Sequence, residues 1–128
     1  MRFLVTTRNA IENGFAVKSD YIVISIHDGD SPPAKVKPQP GLRAVLPIGF
    51  DNTDPTMRIR AAGSVMMTLD HANAIWDFVE EHKIAVETIV VHCDSGYCRS
   101  PAVAAAICKV LGGNERQFFR GKDPNMYI

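Results

Sequence analysis

The chain has no surplus of charge of either sign. Its 14 Lys and Arg residues balance 14 Asp and Glu, for a formal net charge of zero. A bulk electrostatic grip on nucleic acid or on an anionic membrane is thereby disfavoured. Long apolar runs are missing too. No stretch approaches a membrane span, and the start Met1-Arg2-Phe3-Leu4-Val5 lacks signal-peptide anatomy. Cysteine is scarce: three in 128 residues, two of them in one short loop. Such usage argues against a secreted disulfide framework and for a reducing cytoplasm. Internal repeats and low-complexity tracts are absent. What is present is an apolar fraction of 46% in a chain sized for one compact domain, residues 1–128.

Hydrophobic patterning predicts alternating strands and helices. Residues 3–6 read as a short strand and 8–13 as a helical turn ended by Gly14. The β-branched run 21–26 reads as a buried central strand. Residues 27–41 hold four prolines and two glycines, so they read as a loop. A strand follows over 42–48, with Pro47 marking its end, then a second loop over 49–60. Thr68 is a helix cap; Leu69, Ala72, Ile75 or Trp76, and Val79 then share one helical face, and Trp76 is assigned to the core. Residues 86–91 read as a strand and 100–111 as a helix stopped by Gly112-Gly113. Asn114 and Gln117 form a capping box for a last short helix through Arg120. The alternation predicts an α/β fold, a mainly parallel central sheet flanked by helices, with ligands bound beyond the carboxyl ends of the strands.

One segment carries chemistry: Ile89-Val90-Val91-His92-Cys93-Asp94-Ser95-Gly96-Tyr97-Cys98-Arg99-Ser100-Pro101. It reads as strand, tight loop and helix start. A helix start offers N–H groups without intrahelical partners, and the dipole adds partial positive charge, so a loop curling into it cradles an anion. Gly96 gives that loop conformational freedom, and Pro101 suits the first helical turn. Arg99 can grip two phosphate oxygens with its planar fork. The same field should bring the Cys93 thiol below the free value of about 8.5 and make it a thiolate nucleophile. Ser100 can donate to that sulfur and help it leave, and His92 can orient the Cys93 backbone or stabilise the thiolate. The backbone of Asp94, Ser95, Gly96, Tyr97, Cys98 and Arg99 forms the phosphate cradle. Asp94 either positions water or faces solvent. Tyr97 either lines the pocket mouth or packs outward.

His-Cys-x5-Arg-Ser resembles the signature of the cysteine-dependent protein tyrosine and dual-specificity phosphatase superfamily. Residues 22–28, 45–51, 70–79 and 90–125 resemble its small bacterial or phage members. The resemblance implies a three-layer phosphatase-like domain that hydrolyses phosphate monoesters through a phosphocysteine. Cys93 is then the nucleophile, Arg99 the phosphate clamp and Ser100 the aid to breakdown. It implies no metal and no cofactor. It also implies an aspartic acid from an upstream loop as proton donor, and Phe50-Asp51-Asn52-Thr53-Asp54-Pro55 offers two: Asp54 first, Asp51 close behind. Relatives continue into a further helix from a Pro-Asn pair such as Pro124-Asn125, so the domain is expected to be C-terminally short.

The same loop is similar to that of low-molecular-weight phosphatases, which implies Cys98 as a redox partner for Cys93. The alternative is a small side chain packed under the loop. Between Cys93 and Arg99 there is no Lys or second Arg, which favours a monophosphate ester, with phosphotyrosine first. The expected partner is a phosphorylated protein or small phosphate monoester. Two alternatives stand beside this: a phosphate-recognition module with little turnover, and a rhodanese- or arsenate-reductase-like thiol enzyme.

Overall fold

The structure, a computed structural model, describes residues 1–29, 31–50, 69–93 and 99–111. Its elements run β1 (Arg2–Thr7), α1 (Arg8–Glu12), β2 (Tyr21–His27), β3 (Leu42–Gly49), α2 (Leu69–His82), β4 (Thr88–Cys93) and α3 (Arg99–Val110). The strands form one sheet in the order β1-β4-β2-β3, and every pairing is parallel. This is the expected architecture, with β2 and β4 at the centre. Both are near-continuous Ile/Val runs because both of their faces are covered.

The two faces are covered differently. Ile22, Ile24 and Ile26 of β2 and Ile89, Val91 and Cys93 of β4 face α2 and α3, which contribute Ile75, Val79, Val103, Ala104 and Ile107. The alternate residues Tyr21, Val23 and Val90 face α1, through Ile11, and the extended residues Phe15, Val17, Ala34 and Val36. The layer on this second face, among the described residues, is therefore one short helix and proline-punctuated chain. Glu12 ties the two together: its carboxylate accepts from the Lys35 N–H at 3.0 Å. That bond, opposed by partial desolvation and aided by Arg8, holds the Glu12 carboxyl below its usual range.

Three local expectations need correction. Pro47 does not end β3; it lies inside the strand, exposed, paired in register with Ser25. β3 is an edge strand, and an edge has positions whose N–H is not needed by a neighbour. Leu69 opens α2 but is 75% exposed, and Trp76 is only partly buried, so Ile75 and Val79 carry the packing face. Helical spacing alone leaves Ile75 and Trp76 as rivals, and Ile75 is the one that enters the buried core cluster. The Thr68 cap, the second loop beyond Phe50 and the segment after Leu111 lie outside the described residues.

Gly41 turns the chain into β3 with φ +91°, and a Cβ there would sit 2.7 Å from the Ser19 carbonyl oxygen. Only glycine satisfies both demands. At the sheet centre, Ile24 is fully buried between α-covered neighbours. Ile24→Ala is expected to lower unfolding free energy by about 2–5 kcal/mol, read from the denaturation midpoint.

Candidate active site

In a parallel sheet all carboxyl ends lie along one edge. Here that edge carries Thr7, Cys93, His27 and Gly49, with Thr7 beside Cys93 and His27 beside Gly49 in register. The residues that leave the sheet there are Arg8, Asp28 and Phe50. α3 starts at the same edge and brings Arg99 and Ser100 to it. It is seated by its small apolar face, Ala102 to Ala105, Ile107 and Cys108, all buried.

β4 runs on through His92 and ends on Cys93, two residues beyond the strand expected over 86–91. The residue is 1% exposed. Its Sγ lies 3.3 Å from Oγ of Ser100, which is fully buried in the first turn of α3. That is hydrogen-bond range for a hydroxyl and sulfur. One side of the thiol therefore meets apolar core, which disfavours charge. The other meets a hydroxyl and a helix start, which favour it.

His92 points to the opposite face of the sheet and is fully buried. Its Nδ1 lies 3.4 Å from the Cys93 carbonyl oxygen, and its Nε2 lies 2.6 Å from Ser25 Oγ. A carbonyl can only accept, so Nδ1 carries the proton and Nε2 accepts from the Ser25 hydroxyl in the neutral ring. Ser25 and His92 are register partners on β2 and β4, which explains the contact. The imidazole thus braces the backbone at Cys93 from behind and is directed away from the side of the sheet that holds Sγ.

Arg99 is 6% exposed. Its Nη1 donates to Asp28 Oδ1 at 2.8 Å and to the Phe50 carbonyl at 3.0 Å. The arginine is thereby tied to the exits of both β2 and β3. Above the Phe50 backbone, the Phe50 ring packs against His71 from the first turn of α2, with ring centroids 5.6 Å apart.

Of the residues singled out from sequence, Cys93, Arg99, Ser100 and His92 gather at one sheet edge. Asp51, Asp54, Asp94, Ser95, Gly96, Tyr97 and Cys98 lie outside the described residues. Asp28, Ser25 and the Phe50 carbonyl were not anticipated. Residue 28 reads as the start of a proline-rich loop. Its position directly after a buried parallel strand was the available signal, since that places it on the ligand-binding edge. Cys108 is buried on the sheet-facing side of α3, within the main core cluster. Among the described residues, no helix is long and apolar enough to cross a membrane.

No family model matches the chain, and no curated protein does. Among solved structures, the crystal structure of human DUSP28, a dual-specificity phosphatase, superposes with a TM-score of 0.59. The match covers 97% of this chain and 83% of that one, at 18% identity. The fold is that of a dual-specificity phosphatase. At such identity the likeness is one of architecture, and the dual-specificity-phosphatase fold leaves activity to be argued from the side chains.

The Ser25–His92 bond gives a direct test of the bracing arrangement. Ser25→Ala removes a buried 2.6 Å hydrogen bond. Stability is expected to fall by about 1–3 kcal/mol by chemical denaturation. An unchanged midpoint would mean the bond contributes nothing net.

Proposed function

We propose that this protein is a metal-independent cysteine phosphatase, a single phosphatase-like domain over residues 1–128, that hydrolyses phosphate monoesters through a phosphocysteine. The observation that carries the reading is the meeting of Cys93 Sγ and Ser100 Oγ at 3.3 Å, beside Arg99 at the start of a buried helix. The fold shared with human DUSP28 supports it, as does the resemblance of His92-Cys93-x5-Arg99-Ser100 to the superfamily signature.

In the first step the Cys93 thiolate attacks phosphorus. The ester P–O bond breaks, and the leaving oxygen takes a proton from an aspartic acid, Asp54 or Asp51. Arg99 and the amides of residues 94–99 hold the three non-bridging oxygens as charge spreads over them. In the second step water attacks phosphorus and gives its proton to the same aspartate. The P–S bond breaks, and the Ser100 hydroxyl donates to the departing thiolate. His92 keeps the Cys93 backbone in place throughout.

The substrate class is a monophosphate ester, phosphotyrosine before phosphoserine or phosphothreonine. The balanced charge of the chain and the lack of further cations between Cys93 and Arg99 favour one phosphate over several. A reducing compartment such as the cytoplasm suits an oxidisable thiolate, and Cys98 is positioned in sequence to form a protective disulfide with it.

The test is rapid mixing with an aryl phosphate. Wild type releases a burst of phenol stoichiometric with enzyme, followed by steady turnover. Cys93→Ser abolishes both. Ser100→Ala keeps the burst and slows the steady state by about tenfold or more, the loss of one hydrogen bond to a charged sulfur. Of Asp51→Asn and Asp54→Asn, the one that removes the proton donor flattens the basic limb of the pH–rate profile. Phosphate binding without a burst would make the protein a recognition module. Faster turnover of thiosulfate or arsenate would make it a different thiol enzyme.

A further inference from the structure

The partner of the arginine is the least expected feature of the site. Asp28 comes from the exit of β2, 71 residues away from Arg99 in sequence. Its carboxylate accepts from Nη1 at 2.8 Å, and the Phe50 carbonyl accepts from the same nitrogen at 3.0 Å. Nη1 carries two hydrogens, so these two acceptors match its full donor capacity. With one nitrogen held at two points, the plane of the guanidinium is fixed, and that plane sets where its parallel N–H pairs can fork two oxygens of an oxyanion.

Asp28 is itself held. Its backbone carbonyl accepts from His27 Nδ1 at 2.8 Å and from the Ser31 N–H at 3.1 Å. The His27 ring lies directly over Gly49, where a Cβ would come within 2.6 Å of Cε1. The Phe50 N–H donates to the His27 carbonyl at 3.1 Å. The two strand exits that hold Arg99 are thus stitched to each other before any ligand arrives. A long side chain with several rotatable bonds is fixed at little further entropic cost on binding.

We infer that Asp28 is a positioning residue of the phosphate site: it fixes the rotation of the Arg99 guanidinium. The inference rests on the phosphatase reading and deepens it. Asp28 acts through Arg99 and accepts a hydrogen bond in this pairing, so the proton-donor role stays with the upstream loop. Because its side chain is 41% exposed, its removal should leave the fold intact.

The experiment measures competitive inhibition by tungstate, a tetrahedral oxyanion, alongside aryl phosphate turnover. Asp28→Ala is expected to raise the tungstate inhibition constant about tenfold, as for one charge-assisted hydrogen bond, and to raise KM with it. Asp28→Asn keeps an acceptor oxygen in place and should lose only about threefold, so it recovers most of the defect. It also supplies the measurement should the alanine variant not fold. In an Arg99→Lys background, Asp28→Ala should change the constant little, because the fork it positions is gone. A wild-type constant in Asp28→Ala, or an equal loss in the Arg99→Lys background, would overturn the role of Asp28 and leave the phosphatase standing. A wild type that neither turns over aryl phosphate nor responds to tungstate would remove the phosphatase reading, and the role of Asp28 with it.

Discussion

The seating of α3 against β4 is the contact on which the rest of the site depends. Val103, Ala104 and Ile107 of the helix pack with Ile89 and Val91 of the strand in one buried cluster. The run of alanines lets the helix lie close to the sheet. Its first residues then have one place to go, the carboxyl edge of β4. Arg99 and Ser100 arrive beside Cys93 because apolar side chains further along the helix have fixed its axis. Chemistry at this edge is a consequence of packing several residues away.

That seating sets opposing electrostatic demands on two side chains. Cys93 is nearly sealed, and an apolar wall penalises a thiolate. The Ser100 hydroxyl and the helix start act in the other direction. Arg99 is buried as well, and a buried cation needs a partner. Asp28 and the Phe50 carbonyl supply it. The pairing keeps a cation in a dry site, but it also offsets part of the positive potential that Cys93 would otherwise feel. The hydroxyl of Ser100, in direct contact with sulfur, therefore carries more of the stabilisation of a thiolate than the loop arginine alone would suggest.

Much of this was legible in the sequence because the informative signals are local. The Ile/Val run ending in Cys93, the proline after Arg99-Ser100 and the alanine-rich helix each follow from neighbours within one turn or one strand. They placed β4, α3 and the Cys93, Arg99 and Ser100 cluster. What escaped depends on register between distant strands. Ser25 meets His92 only because β2 and β4 pair as they do, and Asp28 meets Arg99 only because β2 leaves the sheet beside them. Pro47 escaped for the same reason: whether a proline ends a strand depends on whether that strand lies at an edge. Trp76 and Leu69 show the limit of helical periodicity, which finds a face but not its centre.

The most direct measurement is the ionisation of Cys93, followed by peptide-resolved alkylation with iodoacetamide across pH. Mass spectrometry separates this thiol from Cys98 and Cys108. A nucleophilic Cys93 gives a midpoint well below the free-cysteine value of about 8.5, and slower alkylation when tungstate is present. A midpoint at or above that value, with no protection by the oxyanion, would make Cys93 a buried core thiol at the end of a strand and not a nucleophile.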